Sequence, residues 1–586
     1  MRAMRYTLAL LIMVMTAIAA VPPVLAADCH TPVTPISQIQ GNRSESPLQG
    51  AWVTVRGVIT LDTRAQGFKG FYLQQADGET DDDPSTSEAL FVYTSRPTGA
   101  TGHQVEVTGR VREYYGLTEV VNVKILRDCG PAPMPTAQPL SLPWPSAEPP
   151  ERFENMRVRF TRALTVIDHH NLHRFGELTL ATETQFVPTQ RLVPGLEAAA
   201  LAQVQERQRI ILDDGSGQKY PSPIPYPLPA LTMSRTVRTG DRASKLTGVL
   251  DYRFGAWRLQ PDSSPRFESA NPRPPPPPRP SESAVRVVAL NVENYFNGDG
   301  NGGGFPTPRG AQSQTALKHQ TARLVAALTA LDADLLILAE IENDGDHPDS
   351  ALAQLAAALG PDWQWVRTGP VRDRRLIRSA MLYHSRRLAI ADLTRPALAQ
   401  PYDGPGRHPV VQDFKVTASG DIVRAVAAHF KSKSCRGAQA ADRDQNDGQG
   451  CYASTRLEQA RALSRWLTRL PTPARSLGTL IAGDLNSYAR EAPLQHLARA
   501  GYHDLVGQRQ GLTSYSYRFR GRAGTLDYVL AKGTVNQRII GARLWHINSD
   551  EPAALGYQRW QPDAAGPTHL PWRASDHDPV VIDMAL

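Results

Sequence analysis

The chain predicts an α/β layered unit in its rear half behind an all-β front, and three observations carry that expectation. Largely apolar runs at residues 285–290, 423–428, 479–482 and 580–584 read as buried strands, because a half-exposed strand would alternate with polar residues. Leu317, Thr321, Leu324, Leu328 and Leu331 recur at three- and four-residue spacing, the period of a helix with one buried face. Further forward, residues 52–59, 70–74, 89–93 and 104–111 alternate like half-buried strands with turn residues between them, a pattern that closes into a small barrel.

At 586 residues the chain exceeds what one hydrophobic core supports, so roughly two to four domains are expected. The formal net charge of +7 suits a polyanionic partner such as nucleic acid. Arg2 and Arg5 precede the apolar stretch 8–21, and Val24-Leu25-Ala26 supplies small residues where a signal peptidase reads. Residues 1–26 are therefore expected to be a secretory signal cleaved after Ala26, which places the mature chain in the medium or the periplasm. The run is short for a membrane anchor, ends in Pro22-Pro23 and has no stop-transfer flank. No later segment is apolar enough to span a bilayer, and Asp28 ahead of Cys29 argues against lipid attachment.

Four cysteines in an exported chain form an even set. Their placement favours Cys29 with Cys129, tying the ends of the front unit, and Cys435 with Cys451, closing a loop; no Cys-x-x-Cys spacing supports zinc or redox chemistry.

The expected organisation is a β-barrel unit at 27–130, a Pro-rich linker at 131–150, a second β-rich unit at 151–270, a stiff polyproline linker at 271–283, and a catalytic unit at 284–586. No chemistry is assigned to the second unit, where His169, His170 and His173 read as an exposed polar loop rather than a metal site. Gly302-Gly303-Gly304 is a surface loop and not a phosphate cradle, since no Gly-Lys-Ser/Thr follows. Inside the rear unit, Asp332-Ala333-Asp334 ends the first helix and residues 335–339 enter a strand that delivers Glu340. A second amphipathic helix at 454–467 precedes a strand that delivers Asp484 and Asn486.

The strand runs abut polar clusters instead of ordinary turns: Asn291-Val292-Glu293-Asn294, His429-Phe430-Lys431-Ser432, Gly483-Asp484-Leu485-Asn486 and Ser575-Asp576-His577. A phosphodiester resists hydrolysis because the nucleophile approaches an anion and the alkoxide leaves poorly. Its cleavage wants a cation, a base, and donors aimed at the equatorial oxygens. Glu340 and Asp576 are hard oxygen ligands suited to Mg²⁺, Mn²⁺ or Ca²⁺, with Asn291 to join them or hold a ligating water. His577 is the candidate base, and Asp527 in Leu526-Asp527-Tyr528 is placed to fix its tautomer. Glu342, two residues beyond Glu340, is a rival ligand on the same side of a continuing strand. Singly, each cluster is more often a turn or a cap; their joint occurrence is what points to a site.

These clusters, with Ser575-Asp576-His577-Asp578-Pro579 ahead of a final strand, resemble the endonuclease/exonuclease/phosphatase superfamily, the pancreatic-deoxyribonuclease-like fold. Asn294-Tyr295-Phe296, Glu340-Ile341-Glu342-Asn343, His429-Phe430-Lys431-Ser432-Lys433, Asp447-Gly448-Gln449-Gly450-Cys451, Gly483-Asp484-Leu485-Asn486-Ser487-Tyr488 and Trp545-His546-Ile547-Asn548 are similar to its secreted bacterial nuclease branch. The likeness is dense over 284–586 and looser over 40–125, where the order of segments resembles an OB-fold-like domain. The resemblance implies an α/β four-layer sandwich, two mixed sheets faced by helices, that cuts DNA with Mg²⁺ or Mn²⁺, Ca²⁺ being a further candidate. It implies Glu340 as principal metal ligand with Asn291 and Asp576 nearby, and His577 and Asp527 as base and orienter. His429 would meet the scissile phosphate opposite them, while Asp484 and Asn486 position the nucleophile or stabilise the transition state.

Asp444, Asn446 and Asp447 bring oxygen donors into the loop between Cys435 and Cys451, a candidate second metal site for calcium that lacks the full EF-hand spacing. Lys431, Lys433 and Arg436 beside it are expected to reach DNA phosphates. The expected function is an exported, metal-dependent, non-specific endonuclease acting on extracellular DNA, with RNA left open. It is expected to be a monomer without stable membrane insertion after signal cleavage. A phospholipid phosphodiesterase of sphingomyelinase type is the rival on the same fold, disfavoured because the sequence shows no clear exposed aromatic hairpin. A DNA-binding adhesin led by the front barrel is a third reading, and it requires a damaged site.

Overall fold

Alternating strands at the front close on themselves. In the computed structural model, which describes residues 29, 31–81, 83–145, 150–298, 304–368, 375–391, 402, 407–559 and 569–586, Trp52–Asp62, Gly70–Gln74, Ala89–Tyr93, His103–Glu113 and Thr118–Pro131 form a closed five-stranded barrel. The first strand pairs with the second and fourth, and the third with the fifth. Val53, Val55, Leu73, Leu90, Val92, Val105, Val107 and Val120 fill it. Cys29 and Cys129 are bridged at a Cα separation of 5.9 Å, and Cys435 and Cys451 at 5.0 Å, the two expected pairs. The signal segment at 1–26 lies outside the described residues.

The second unit is built on a nine-stranded sheet. Its core of Val158, Val166, Leu180, Leu212, Leu250 and Leu259 also takes in Ala554 and Leu555 from the rear half, so the two units share apolar packing. Both expected linkers pack against the units they join. Gln138–Leu140, inside the Pro-rich passage, is the edge strand of that sheet beside Arg157–Phe160, the position at which a proline removes no ladder bond. The polyproline stretch lies along the rear unit instead of standing off as a spacer. Trp545 Nε1 donates to the carbonyl of Pro274 (3.0 Å), and the Arg286 guanidinium to those of Pro277 (3.0 Å) and Pro278 (2.8 Å).

The rear unit holds two six-stranded mixed sheets. The first contains Val285–Tyr295, Leu335–Glu342, Ile377–His384 and Val580–Met584; the second contains Val410–Val416, Ile422–Ala427, Ser476–Asp484 and Asp527–Lys532. Alternation divides each strand between two cores. Val287, Ile337, Met381 and Ile582 meet Phe414, Ala425, Leu480 and Val529 between the sheets. Val288, Leu290, Leu336 and Leu338 pack outward on Leu324, Leu328, Leu352 and Leu355 of the helices Gln314–Leu331 and Ala351–Leu359. Val426, Ile481 and Leu530 pack outward on Leu463, Leu467, Leu494 and Leu497 of Ala453–Leu467 and Ala492–Arg499. Ser313 and Ser350 cap the first two helices by accepting from Ala316 N and Ala353 N, which satisfies otherwise orphaned donors. Among the described residues, no helix is long and apolar enough to cross a membrane.

Candidate active site

Strand register gathers the polar clusters. Asn291 is opposite Ala339, next to Glu340; Ala289 is opposite Val580, near His577; Ala427 is opposite Ala482 on parallel strands; and Asp484 is opposite Asp527. Residues far apart in the chain therefore meet at one edge of the paired sheets. Gly483 makes the approach possible: with φ +129 it lies where a Cβ would overlap the carbonyl oxygen of Ala428, so glycine lets the His429 strand end close on Asp484. Glu340 has φ +67, and the ladder skips between Leu338 and Ile341 there.

His577 Nδ1 lies 2.6 Å from Asp527 Oδ2, which also accepts from Ser516 Oγ at 2.7 Å. The Tyr517 ring stacks on the imidazole at 4.4 Å, and Asn548 Nδ2 donates to the His577 carbonyl at 2.6 Å. Ser575 Oγ donates to the Asn291 carbonyl at 2.5 Å, fastening this segment to the first strand. On the other side, Asp484 Oδ2 accepts from Asn291 Nδ2 at 3.1 Å and lies 3.4 Å from His429 Nε2. Its other oxygen accepts from Asn486 N at 2.9 Å, and Asn486 Nδ2 donates to the Phe430 carbonyl at 3.2 Å. Asp578 turns away and accepts from Asn548 N and Ser549 N at 2.8 and 3.1 Å, a structural post.

The two histidines differ in proton affinity. Burial alone would lower His577, but Asp527, Asp576 and Asp484 raise it well above 6.5. Burial lowers His429 well below 6.5, and the positive charges of Arg407, His577 and Arg309 add to that. Burial also pushes Glu293 up to about 7; Arg573, at 3.2 Å, pulls it down while Asp576 and Glu340 push it up. Burial pushes Asp484 up to about 7, His577 opposing and Asp527 and Glu340 adding.

Carboxylates that raise one another's proton affinity this way fit a divalent cation, because a cation removes the repulsion that protons otherwise relieve. Glu340 and Asp576, with Asn291 and Glu293 adjoining, have the hard oxygen donors for it. Among the described residues, the one group of three or more His, Cys, Asp or Glu side chains within ligating reach is Asp484, Asp527 and His577, with ligand atoms inside 4.8 Å. Two of its members are engaged in the His577–Asp527 bond, and the third, Asp484, accepts from Asn291 Nδ2 and Asn486 N.

Several expectations are corrected. Lys433 is not aimed at substrate: its ammonium donates to Glu491 at 2.5 and 2.7 Å and to the Gln449 carbonyl at 2.7 Å, and burial brings it down to about 8 against the pull of Glu491. Lys431 sits 3.8 Å over the Tyr452 ring, and Arg436 is exposed. In the loop of Asp444, Asn446 and Asp447, Asp444 accepts from Asn446 N and Asp447 from Gln449 N, both at 2.9 Å. Glu342 accepts from Asn297 N at 2.9 Å, and the turn at Glu340 interrupts the alternation that would have aligned the two carboxylates. Sequence reasoning missed Arg407, Tyr517 and Arg573. Glu293 stood inside a recognised cluster, whereas the others had no local signal.

Residues 290–577 match the model of the endonuclease/exonuclease/phosphatase family. Enzymes of the superfamily hydrolyse phosphodiester bonds and are generally divalent-metal dependent. Residues 149–271 match the model of a domain of unknown function. Among solved structures, the chain is similar to an endonuclease/exonuclease/phosphatase from Bacteroides vulgatus at 16% identity, over 52% of this chain and 100% of that one, with a TM-score of 0.35. An AP endonuclease from Leishmania major is similar at 15% identity over 53% of this chain and 92% of its own, with a TM-score of 0.34. Humanised D. rerio TDP2 is similar at 12% identity over 52% and 99%, with a TM-score of 0.33. No curated protein matches the chain.

Proposed function

We propose that the chain is an exported, divalent-metal-dependent nuclease that hydrolyses extracellular DNA internally and with little sequence preference. The observation that carries the reading is a pair of buried histidines with opposite proton affinities set around Asp484, beside a repelling group of carboxylates. With Nδ1 held by Asp527, His577 keeps Nε2 to accept a proton from the attacking water when the ring is in its neutral form. The Asp527 carboxylate raises the basicity of the ring and fixes its tautomer. His429 stays neutral, with Nδ1 lacking a hydrogen-bond partner and Nε2 beside Asp484, which suits contact with a phosphate oxygen from the opposite side. Asn291 and Asn486 hold Asp484 in place. Glu340 and Asp576, with Asn291 and Glu293 adjoining, would hold a divalent cation, which when bound would supply positive charge against the phosphate oxygens. Arg309, Arg375 and Arg407 add a cationic rim.

The helix, sheet, sheet, helix order of the rear unit supports a four-layer sandwich, and the barrel's strand order an OB-fold-like domain. The barrel exterior carries Trp52 against Lys124 at 3.8 Å, and Arg112 over Tyr93 and Tyr114 at 6.0 and 5.0 Å. Such aromatic and cationic groups suit single strands. Residues 1–26, read as a cleaved signal, support export.

Purified protein with plasmid DNA, RNA or sphingomyelin vesicles, each with Mg²⁺, Mn²⁺, Ca²⁺ or chelator, tests the proposal. DNA cutting that needs metal and stops with chelator is expected; vesicle hydrolysis without DNA cutting overturns it.

A further inference from the structure

The second β-rich unit reaches the catalytic centre. A cavity of about 520 Å³ has Glu293 and Asp576 on one wall, His169 and His170 of the second unit on another, and Phe519 and Arg520 on a third. The last two belong to a hairpin of Tyr517–Phe519 and Arg522–Gly524, in which Phe519 is opposite Arg522. Its two-residue turn places Arg520 at φ +50 and Gly521 at φ +76, the tight turn that matches strand twist.

The second unit holds this hairpin rigid. Gln185–Phe186 adds a parallel strand to Arg522–Gly524, Arg209 Nη1 donates to the Arg520 carbonyl at 3.0 Å, and Arg522 is bound by Gln205 and Glu206 at 2.6 and 2.7 Å. A Cβ on Gly521 would come within 3.0 Å of Ile167, so the tip rests on the second unit's surface. Tyr517 and Phe519 are two residues apart on one strand face, about 7 Å along it. Tyr517 stacks on His577, and Phe519 is 53% exposed at the cavity with the Arg520 guanidinium 5.3 Å from its ring. An exposed aromatic hairpin is thus present where the sequence showed none. It is short and docked rather than projecting, and its cation lies on the aromatic face, a combination suited to a nucleotide more than to a bilayer.

We propose that Phe519 and Arg520 form a nucleotide subsite beside the scissile phosphate, with a base stacked on Phe519 and a phosphate on Arg520, held in place by the second β-rich unit. This rests on the nuclease reading. Base–aromatic stacking is sequence-tolerant, because every base has a π face.

The test uses the full chain and its Phe519→Ala, Phe519→Tyr and Arg520→Gln variants. It reads binding of a labelled oligothymidylate in chelator and steady-state cutting of a long single strand with Mg²⁺ or Mn²⁺. Phe519→Ala is expected to raise Kd and KM at least about fivefold with a smaller effect on kcat, and Phe519→Tyr to restore both. Arg520→Gln is expected to flatten the salt dependence of binding by about 0.7 in log–log slope, one phosphate contact on a single strand. Should the parent bind and cut while Phe519→Ala and Arg520→Gln match it, the subsite is overturned and the nuclease reading stands. Should the parent neither bind nor cut nucleic acid yet hydrolyse sphingomyelin vesicles, both fall.

Discussion

His577 and His429 show how one buried centre gives two identical side chains opposite proton affinities. Replacing His577 with alanine is expected to leave the fold intact and lower kcat by about 10²–10⁴, and Asp527→Asn to lower kcat with little change in KM because the ring loses its orienting carboxylate. Near-parental turnover in both variants, with metal present, would reassign the base. His429 gives a pH prediction. Its proton affinity in the fold lies below the ordinary 6.5, so below that pH the unfolded chain takes up a proton that the folded chain does not. Stability therefore falls as pH drops from 6.5 toward the folded value, by up to about 1.4 kcal/mol per pH unit. Urea melts in chelator are expected to show a shallower acid loss in His429→Asn, and an unchanged loss counts against this origin. Most of these residues were legible in the sequence because each adjoins a buried strand. Arg573 and Tyr517 were not, because only the fold brings them to Glu293 and His577. Lys433 was misread for a related reason: the partner that buries its charge, Glu491, is on another helix's entry.

Among the elements, periodicity was the dependable guide. The leucine spacing that announced a helix lies within Gln314–Leu331, and the apolar runs became strands of the two rear sheets. What periodicity could not reveal was interruption, as at Glu340, where a left-handed residue breaks the ladder and separates the roles of Glu340 and Glu342. Proline-rich composition likewise announced spacers, yet proline carbonyls still accept, and Arg286 and Trp545 exploit that. The Cys435–Cys451 bridge closes a loop of sequence separation 16 ahead of the helix Ala453–Leu467. Loop entropy assigns such a bridge about 3 kcal/mol. The double serine variant is expected to lose about that much in denaturant melts, and a loss under about 1 kcal/mol would mean that the reduced loop keeps its structure by other contacts.

At the scale of the molecule, the rear unit does not stand alone. Ala554 and Leu555 belong to the second unit's core, the hairpin at 517–524 is completed by a strand from 185–186, and Thr239 and Asn271 bind Asp550 at 2.7 and 2.8 Å. A chain beginning at residue 284 is therefore expected to melt well below the full protein and to self-associate, as scanning calorimetry and gel filtration would show. An equal melting temperature and a monomeric profile would mean that these contacts are dispensable.

The placement of Val580–Met584 between Val285–Tyr295 and Ile539–Leu544 has a bearing on the order of events in a living cell. Until the ribosome has passed that segment, the sheet carrying Asn291 remains open along one side and Asp527 has no imidazole to hold. On the function proposed above, a nascent polypeptide lacks the assembled site, and competence arrives only with the closing strand.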